Sequence, residues 1–214
     1  MPLDPDTWTA PALPERRDAS GVVGTLYGSR LYEQPRHRAI KEKVDSFLSG
    51  TEPVHMEIGF DHGMLILEQA RRHPEIRWLG VEIREAKVEA AARHAPPNTL
   101  LLRADARAVL AGLVPPGRLD AVIILFPSPS EKASHLLVTP ALVSLLERAL
   151  RPGGQVHLRS DVPGMVAVIE GAFSGWEPVE HPVFPVLSRR ERVCKRDGRR
   201  VWSWSFSPRR GGAG

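Results

Sequence analysis

The stretch Val54-His-Met-Glu-Ile-Gly-Phe-Asp-His-Gly63 decides the fold. Its first five residues are apolar enough for a buried strand, Gly59 opens a turn, and the apolar positions after Gly63 recur at helical spacing. A strand that ends in a glycine turn at the mouth of a helix offers backbone N–H groups to a small ligand, and Glu57 adds a carboxylate. The middle position of the Gly-x-Gly-x-Gly pattern holds Asp61. A left-handed backbone there costs a non-glycine roughly 1–2 kcal/mol, less for Asp than for most.

Downstream, the same alternation repeats. Residues 64–72 read as a helix carrying Leu65, Leu67 and Ala70 and ended by Pro74, and 78–82 as a short apolar strand closing on Glu82. An alanine-rich helix follows over 84–94, then a strand over 99–103 that leads into Asp105, and a helix over 106–113 broken by Pro115-Pro-Gly117. Residues 119–126 form the central strand, which Pro127 and Pro129 stop. Thr139 caps a helix over 139–150 with Pro140 at its first position, and Pro152-Gly-Gly154 ends it. A strand over 155–159, a helix over 164–173 and a last strand over 201–206 complete the pattern. Trp202, Trp204 and Phe206 alternate on that last strand, which suits packing against a helix better than base stacking.

Upstream, 35–47 reads as an amphipathic helix through Ile40, Val44, Phe47 and Leu48, with Arg36, Arg38, Lys41 and Lys43 turned mainly to solvent. Residues 1–20 read as a mobile, Pro-rich arm, 21–208 as a single domain and 209–214 as a disordered tail. Five strand-and-helix units predict an α/β, three-layer, Rossmann-like sheet with right-handed crossovers.

With 214 residues and 42% hydrophobic content the chain can bury one sizeable core. No apolar run approaches the roughly 20 residues of a membrane span, so a soluble, cytoplasmic protein without a membrane partner is expected. Cys194 is the single cysteine, which excludes an intramolecular disulfide and a cysteine-based zinc cluster. His55, His62 and His135 lack metal-ligand spacing, so no metal is expected. Ser128 and Ser130 precede His135, yet Phe-Pro-Ser-Pro is no nucleophile elbow. The formal charge is +4, and the excess sits late, in Arg189, Arg190, Arg192, Lys195, Arg196, Arg199 and Arg200 against Glu191 and Asp197. Such a cluster suits phosphate neutralisation and favours a nucleic-acid partner, against the alternative of a basic surface segment without function in a genome that prefers Arg.

Ligands of such sheets bind beyond the carboxyl ends of the strands. Glu57, Glu82, Asp105, Ser128 and Asp161 all fall there, so one crevice could receive all five. Glu82 lies about 20 residues past the glycine turn, where a carboxylate accepts from ribose hydroxyls. Asp105 could accept from an adenine amino group, and together they describe an adenosine-bearing cofactor that needs no pyrophosphate. The competing reading is that Glu82 and Asp105 simply cap the helices that follow them.

The order Glu57-Ile-Gly59-x-x-x-Gly63, Leu79-Gly-Val-Glu82, Asp105, Phe126-Pro-x-Pro129, Lys132, His135, Arg151-Pro-Gly-Gly154 and Ser160-Asp161 closely resembles the bacterial TrmB-type tRNA guanine-N7 methyltransferases. The resemblance covers roughly residues 54–206. It implies the class I S-adenosylmethionine methyltransferase sheet, whose last strand runs antiparallel, with tRNA or another RNA as partner; oligomeric state, monomer or homodimer, stays open. It also implies S-adenosyl-L-methionine contacts from Glu57, Gly59, Gly63, Glu82 and Asp105, and substrate contacts from Lys132 and Asp161. Ser128 takes the position of the family's catalytic aspartate, and His135, Arg192, Lys195 and Arg196 are the expected RNA contacts.

The departures cluster on the substrate side. Where the family reads Phe-Pro-Asp-Pro-Trp-x-Lys, this chain reads Phe126-Pro-Ser-Pro-Ser-Glu-Lys132. A serine hydroxyl carries no charge at neutral pH and cannot replace a carboxylate beside a cationic transition state. The family's Arg-His and basic run becomes Ser134-His-Leu-Leu-Val-Thr139, and its Thr-x-x-Glu group falls on Arg192-Val-Cys-Lys195. Three functions are therefore open: guanine-N7 methylation of tRNA, the same fold and cofactor with another methyl acceptor, and a non-catalytic RNA-binding paralogue.

Overall fold

The computed structural model describes residues 37–130, 135–182, 184 and 187–209. The expected arm over 1–20, the start of the helix at 35–36, Lys132 and the tail beyond Arg209 lie outside them. In chain order the elements are α1 (Arg38–Leu48), β1 (Val54–Ile58), α2 (Met64–Arg72), β2 (Arg77–Glu82), α3 (Glu85–Ala92), β3 (Thr99–Arg103), α4 (Ala106–Gly112) and β4 (Leu119–Leu125). There follow α5 (Pro140–Ala149), β5 (Leu150–Ser160), α6 (Pro163–Ala172), β6 (Glu177–Pro178), α7 (Arg189–Arg196) and β7 (Trp202–Ser207).

The seven strands make one sheet in the order β3-β2-β1-β4-β5-β7-β6. β1 to β5 are parallel, and β7 runs antiparallel between β5 and β6. The order reverses between β1 and β4, so a crevice opens at the carboxyl ends of those two strands. Alternation along each strand feeds two cores. Val54, Met56 and Ile58 of β1 join Leu79, Val81, Val122, Ile124, Val156 and Leu158 against α1, α4, α5 and α6. On the opposite face Trp78 and Ile123 pack with Leu65, Ile66 and Ala70 of α2 and Ala91 of α3. Each fully buried aliphatic side chain contributes about 1.5–3 kcal/mol, which is why the sheet needs both layers.

Gly80 in the middle of β2 shows how closely α2 approaches. A Cβ there would stand 2.6 Å from Leu101, 2.9 Å from Ile66 and 2.9 Å from Phe60. The helix starts are fixed locally: Thr139 accepts from the Leu142 N–H with Pro140 inside the first turn, and Asp105 accepts from the Arg107 N–H.

Two stretches differ from their sequence-based expectation. The strand expected at 155–159 begins at Leu150, because pairing with β4 jumps from Leu119↔Leu150 to Ala121↔Gln155 and lets Pro152-Gly-Gly154 bulge without ending the ladder. The basic segment after 188 is a helix, α7, begun by a capping box in which Ser188 accepts from the Glu191 N–H and Glu191 accepts from the Ser188 N–H. The Ser-x-x-Glu spacing therefore stands at Ser188–Glu191, four residues before the Arg192–Lys195 position read from the sequence. Among the described residues, no helix is long and apolar enough to cross a membrane.

Candidate active site

At the carboxyl end of β1, Glu57 is buried beneath the first turn of α2. One carboxylate oxygen accepts from the Ile66 N–H, while Oε2 is buried with no hydrogen-bond partner. Burial, with the Glu82 charge adding to it against the Ile66 hydrogen bond, pushes the Glu57 carboxyl up to about 8. Gly59 follows at φ 75, and a Cβ there would meet nothing within 4 Å. Asp61 does adopt the left-handed backbone, at φ 47, and its N–H donates to Glu82 Oε2 at 3.1 Å. Gly63, at φ 72, caps α2, and a Cβ there would crowd Ala91 at 3.0 Å.

Glu82 is buried at the end of β2 but fully partnered. Its Oε1 accepts from the Arg84 N–H and Nε at 3.0 and 3.1 Å, and its Oε2 accepts from Arg84 Nη2 at 3.0 Å as well as from Asp61. Burial raises its carboxyl, and the Arg84 hydrogen bonds and charge outweigh that to leave it below its ordinary value. Arg84 Nη2 also reaches Asp61 Oδ1 at 3.0 Å, and Lys87 Nζ reaches the same oxygen at 3.0 Å. The extra acid in the glycine loop is thus matched by two cations. Ile83, next to Glu82, is 67% exposed, an apolar side chain open to solvent at the cavity rim.

Across the crevice, β4 leaves the sheet through Phe126, whose φ is 53, and the Phe126 N–H donates to the Arg159 carbonyl at 2.8 Å. Pro127, Ser128 and Pro129 follow, with Ser128 exposed. At the end of β5, Asp161 is buried and accepts from Arg190 Nη2 at 2.5 Å and Nε at 3.1 Å, with Arg199 Nε at 3.2 Å. Burial raises its carboxyl, and the Arg190 hydrogen bonds and charge bring it below its ordinary value. Arg159 pairs with Glu191 in a second, nearly dry ion pair. These two pairs and buried Cys194 seat α7 on the strand ends and leave Arg189, Arg192, Lys195 and Arg196 on its exposed face.

Glu57, Gly59, Glu82, Ser128, His135 and Asp161 line one open cavity of about 940 Å³. Gly63 and Asp105 are not among the lining residues. Asp105 caps α4 and accepts from Arg107 Nη2 at 2.7 Å; burial raises its carboxyl and Arg107 brings it below its ordinary value. Sequence reasoning passed over Arg84 and Ile83 and met Arg189 and Arg190 only within the basic cluster, and all four line the cavity. Arg190 was visible only as part of a basic run, and the one signal that could have placed it was the capping box that starts α7.

A family model described as a putative methyltransferase matches residues 51–202. The tRNA (guanine-N(7)-)-methyltransferase of Thermosynechococcus vestitus (strain NIES-2133 / IAM M-273 / BP-1) is 34% identical over 195 residues, 83% of this chain and 84% of its own length. That of Synechococcus sp. (strain JA-2-3B'a(2-13)) is 36% identical over 160 residues, 72% of this chain and 64% of its own length. This chain belongs to the TrmB-type tRNA (guanine-N7-)-methyltransferase family. Solved structures agree on the fold. The 16S rRNA methyltransferase KamB aligns at a TM-score of 0.58 with 18% identity, covering 78% of this chain and 94% of that one. A variant of the 16S rRNA (adenine(1408)-N(1))-methyltransferase from Catenulisporales acidiphilia, with its cosubstrate SAM, aligns at 0.56 with 16% identity, covering 81% and 94%. The seven-stranded sheet is that of the class I S-adenosylmethionine-dependent methyltransferases.

Proposed function

We propose that this chain transfers the methyl group of S-adenosylmethionine to N7 of guanine in tRNA. The observation that carries the reading is the 34% identity to a tRNA (guanine-N(7)-)-methyltransferase over 83% of the chain. Two features of the cavity support the cofactor: the orphaned Glu57 Oε2, which asks for a cationic donor such as an amino group, and Gly59, whose missing side chain leaves room beside it. When bound, S-adenosylmethionine supplies an electrophilic methyl group on a cationic sulfur.

The chain's own residues divide the remaining work. Glu57, whose carboxyl burial pushes up to about 8, gives up its proton to solvent as a ligand cation arrives and becomes its counter-charge. Glu82 accepts hydroxyl hydrogens at the ribose, and Ile83 offers an apolar surface for a purine ring. Guanine N7 attacks with its own lone pair and has no proton to lose, so no general base is required. Catalysis then rests on positioning. In that setting Ser128 offers a hydrogen bond without charge, and Arg189 and Arg190 offer donors to the oxygen atoms of an RNA substrate. Arg192, Lys195 and Arg196 on the outer face of α7, with His135, are assigned to the phosphate backbone.

The test is mass analysis of nucleosides from tRNA lacking this modification, incubated with protein and S-adenosylmethionine. New 7-methylguanosine is expected, and its absence overturns the reading. A second reading, the same cofactor with another methyl acceptor, is favoured by Ser128 together with the closure of Asp161 by Arg190 and Arg199. Transfer of labelled methyl to a different RNA or a small molecule, with tRNA left unlabelled, supports it.

A further inference from the structure

The donors around Glu82 have an arrangement that bears on ligand binding. Two of them, the N–H groups of Asp61 and Arg84, are backbone, one on each carboxylate oxygen. The two remaining acceptor positions, again one per oxygen, are filled by Nε and Nη2 of a single guanidinium edge, that of Arg84. A vicinal diol presents the same thing to a carboxylate: two parallel donors on adjacent atoms, one for each oxygen. Since a carboxylate accommodates about four acceptor interactions, a diol and the Arg84 fork cannot both be held there.

We propose that Arg84 is a displaceable occupant of the diol site on Glu82, and that Asp61 is the acceptor that keeps it at the rim when a ribose takes its place. The inference rests on the adenosyl-cofactor reading above. Three observations carry it. The Arg84 side chain is 56% exposed while that of Glu82 is 3% exposed, so the arginine can swing out and the glutamate cannot. Nη2 already bridges to Asp61 Oδ1 at 3.0 Å, so release from Glu82 need not leave the guanidinium without a counter-charge. Asp61 itself is held by Lys87 at 3.0 Å, in a left-handed backbone that turns its N–H to Glu82. The aspartate at the middle glycine position thereby gains a role: it anchors the cation that guards Glu82. The fork keeps a buried carboxylate satisfied; with a ribose bound the diol does so, and the cost of the exchange appears in the affinity.

The experiment is calorimetry on the full chain with S-adenosylhomocysteine, which carries the diol, and with its 2′,3′-dideoxy analogue, which does not. Arg84→Ala is expected to tighten S-adenosylhomocysteine about fivefold by removing the competing occupant, and to leave the dideoxy ligand within twofold. Asp61→Asn is expected to weaken the diol ligand several-fold in the presence of Arg84 and to have no effect on it in the Arg84→Ala background. Equal responses of the two ligands to Arg84→Ala, or weaker binding of the diol ligand, overturn the proposal. Matching thermal midpoints and circular dichroism spectra identify variants that remain folded, and Arg84→Gln, which keeps one amide donor, serves if Arg84→Ala does not fold. Failure of the wild-type chain to bind S-adenosylhomocysteine at all overturns the cofactor reading, a result distinct from binding that is indifferent to Arg84.

Discussion

Where β1 ends, Glu57 is buried with one oxygen lacking any partner; where β5 ends, across the same cavity, Asp161 is equally buried and held by two arginines. Both are carboxylates at strand ends, and they have opposite electrostatics. Burial leaves Glu57 hard to ionise, while Arg190 and Arg199 keep Asp161 ionised and occupied. An unpartnered buried carboxylate that lines a cavity suits a ligand, whereas a paired one holds the scaffold together. Under the proposed function, the cofactor side is built around an unmet need, and the methyl-acceptor side around satisfied pairs that fix α7 and turn cations toward solvent.

The largest expected effect breaks the acceptor side. Arg159→Met leaves Glu191 buried without its cation and is expected to cost about 3–5 kcal/mol in urea unfolding, and replacing both, as Arg159→Met with Glu191→Leu, recovers most of it. Glu57→Ala tests the other side alone: S-adenosylmethionine affinity should fall about 100-fold by calorimetry, while RNA affinity in a filter-binding assay stays unchanged. Glu57 also gives the sides different pH behaviour. Its folded carboxyl titrates at about 8 against an ordinary 4.5, so its contribution to stability is full below 4.5 and is lost as pH rises through 8. Glu57→Gln should remove that slope and leave the protein more stable than wild type at pH 9, read by denaturant titration across pH.

Smaller effects sharpen the contrast. Ser128→Asp places a negative charge beside the cation that develops on the methylated base, and is expected to raise single-turnover methylation of tRNA about tenfold without moving the S-adenosylmethionine Kd. Arg192→Ala, on the outer face of α7, should weaken RNA binding only a few-fold and reduce the slope of log affinity against log salt by about one.

How much of this was legible in the sequence follows the same division. Strand ends mark themselves where an apolar run meets a glycine, a proline or an acid, so Glu57, Glu82, Ser128 and Asp161 could be set around one crevice from sequence alone. The partners of those acids could not. Asp161 meets Arg190 across 29 residues and Arg159 meets Glu191 across 32, through a helix with no apolar stripe to announce it. The buried residues of α7 are Glu191 and Cys194, so hydrophobic periodicity is silent there. Pro152-Gly-Gly154 misled in the opposite direction, since it reads as a stop and is a bulge within β5. Arg84 was visible only as the first residue of a helix, because its contact with Glu82 depends on the rotamer of a long, exposed side chain.

Phe126 carries one more consequence. The turn that leads to position 128 is set by residues before it, through a left-handed phenylalanine held to the Arg159 carbonyl and the proline that follows. Ser128 itself is exposed, so folding places little demand on which side chain stands there. Selection for a stable protein is nearly blind to that position, and the side chain that stands there can change in a single substitution without rebuilding the turn that presents it to the cavity.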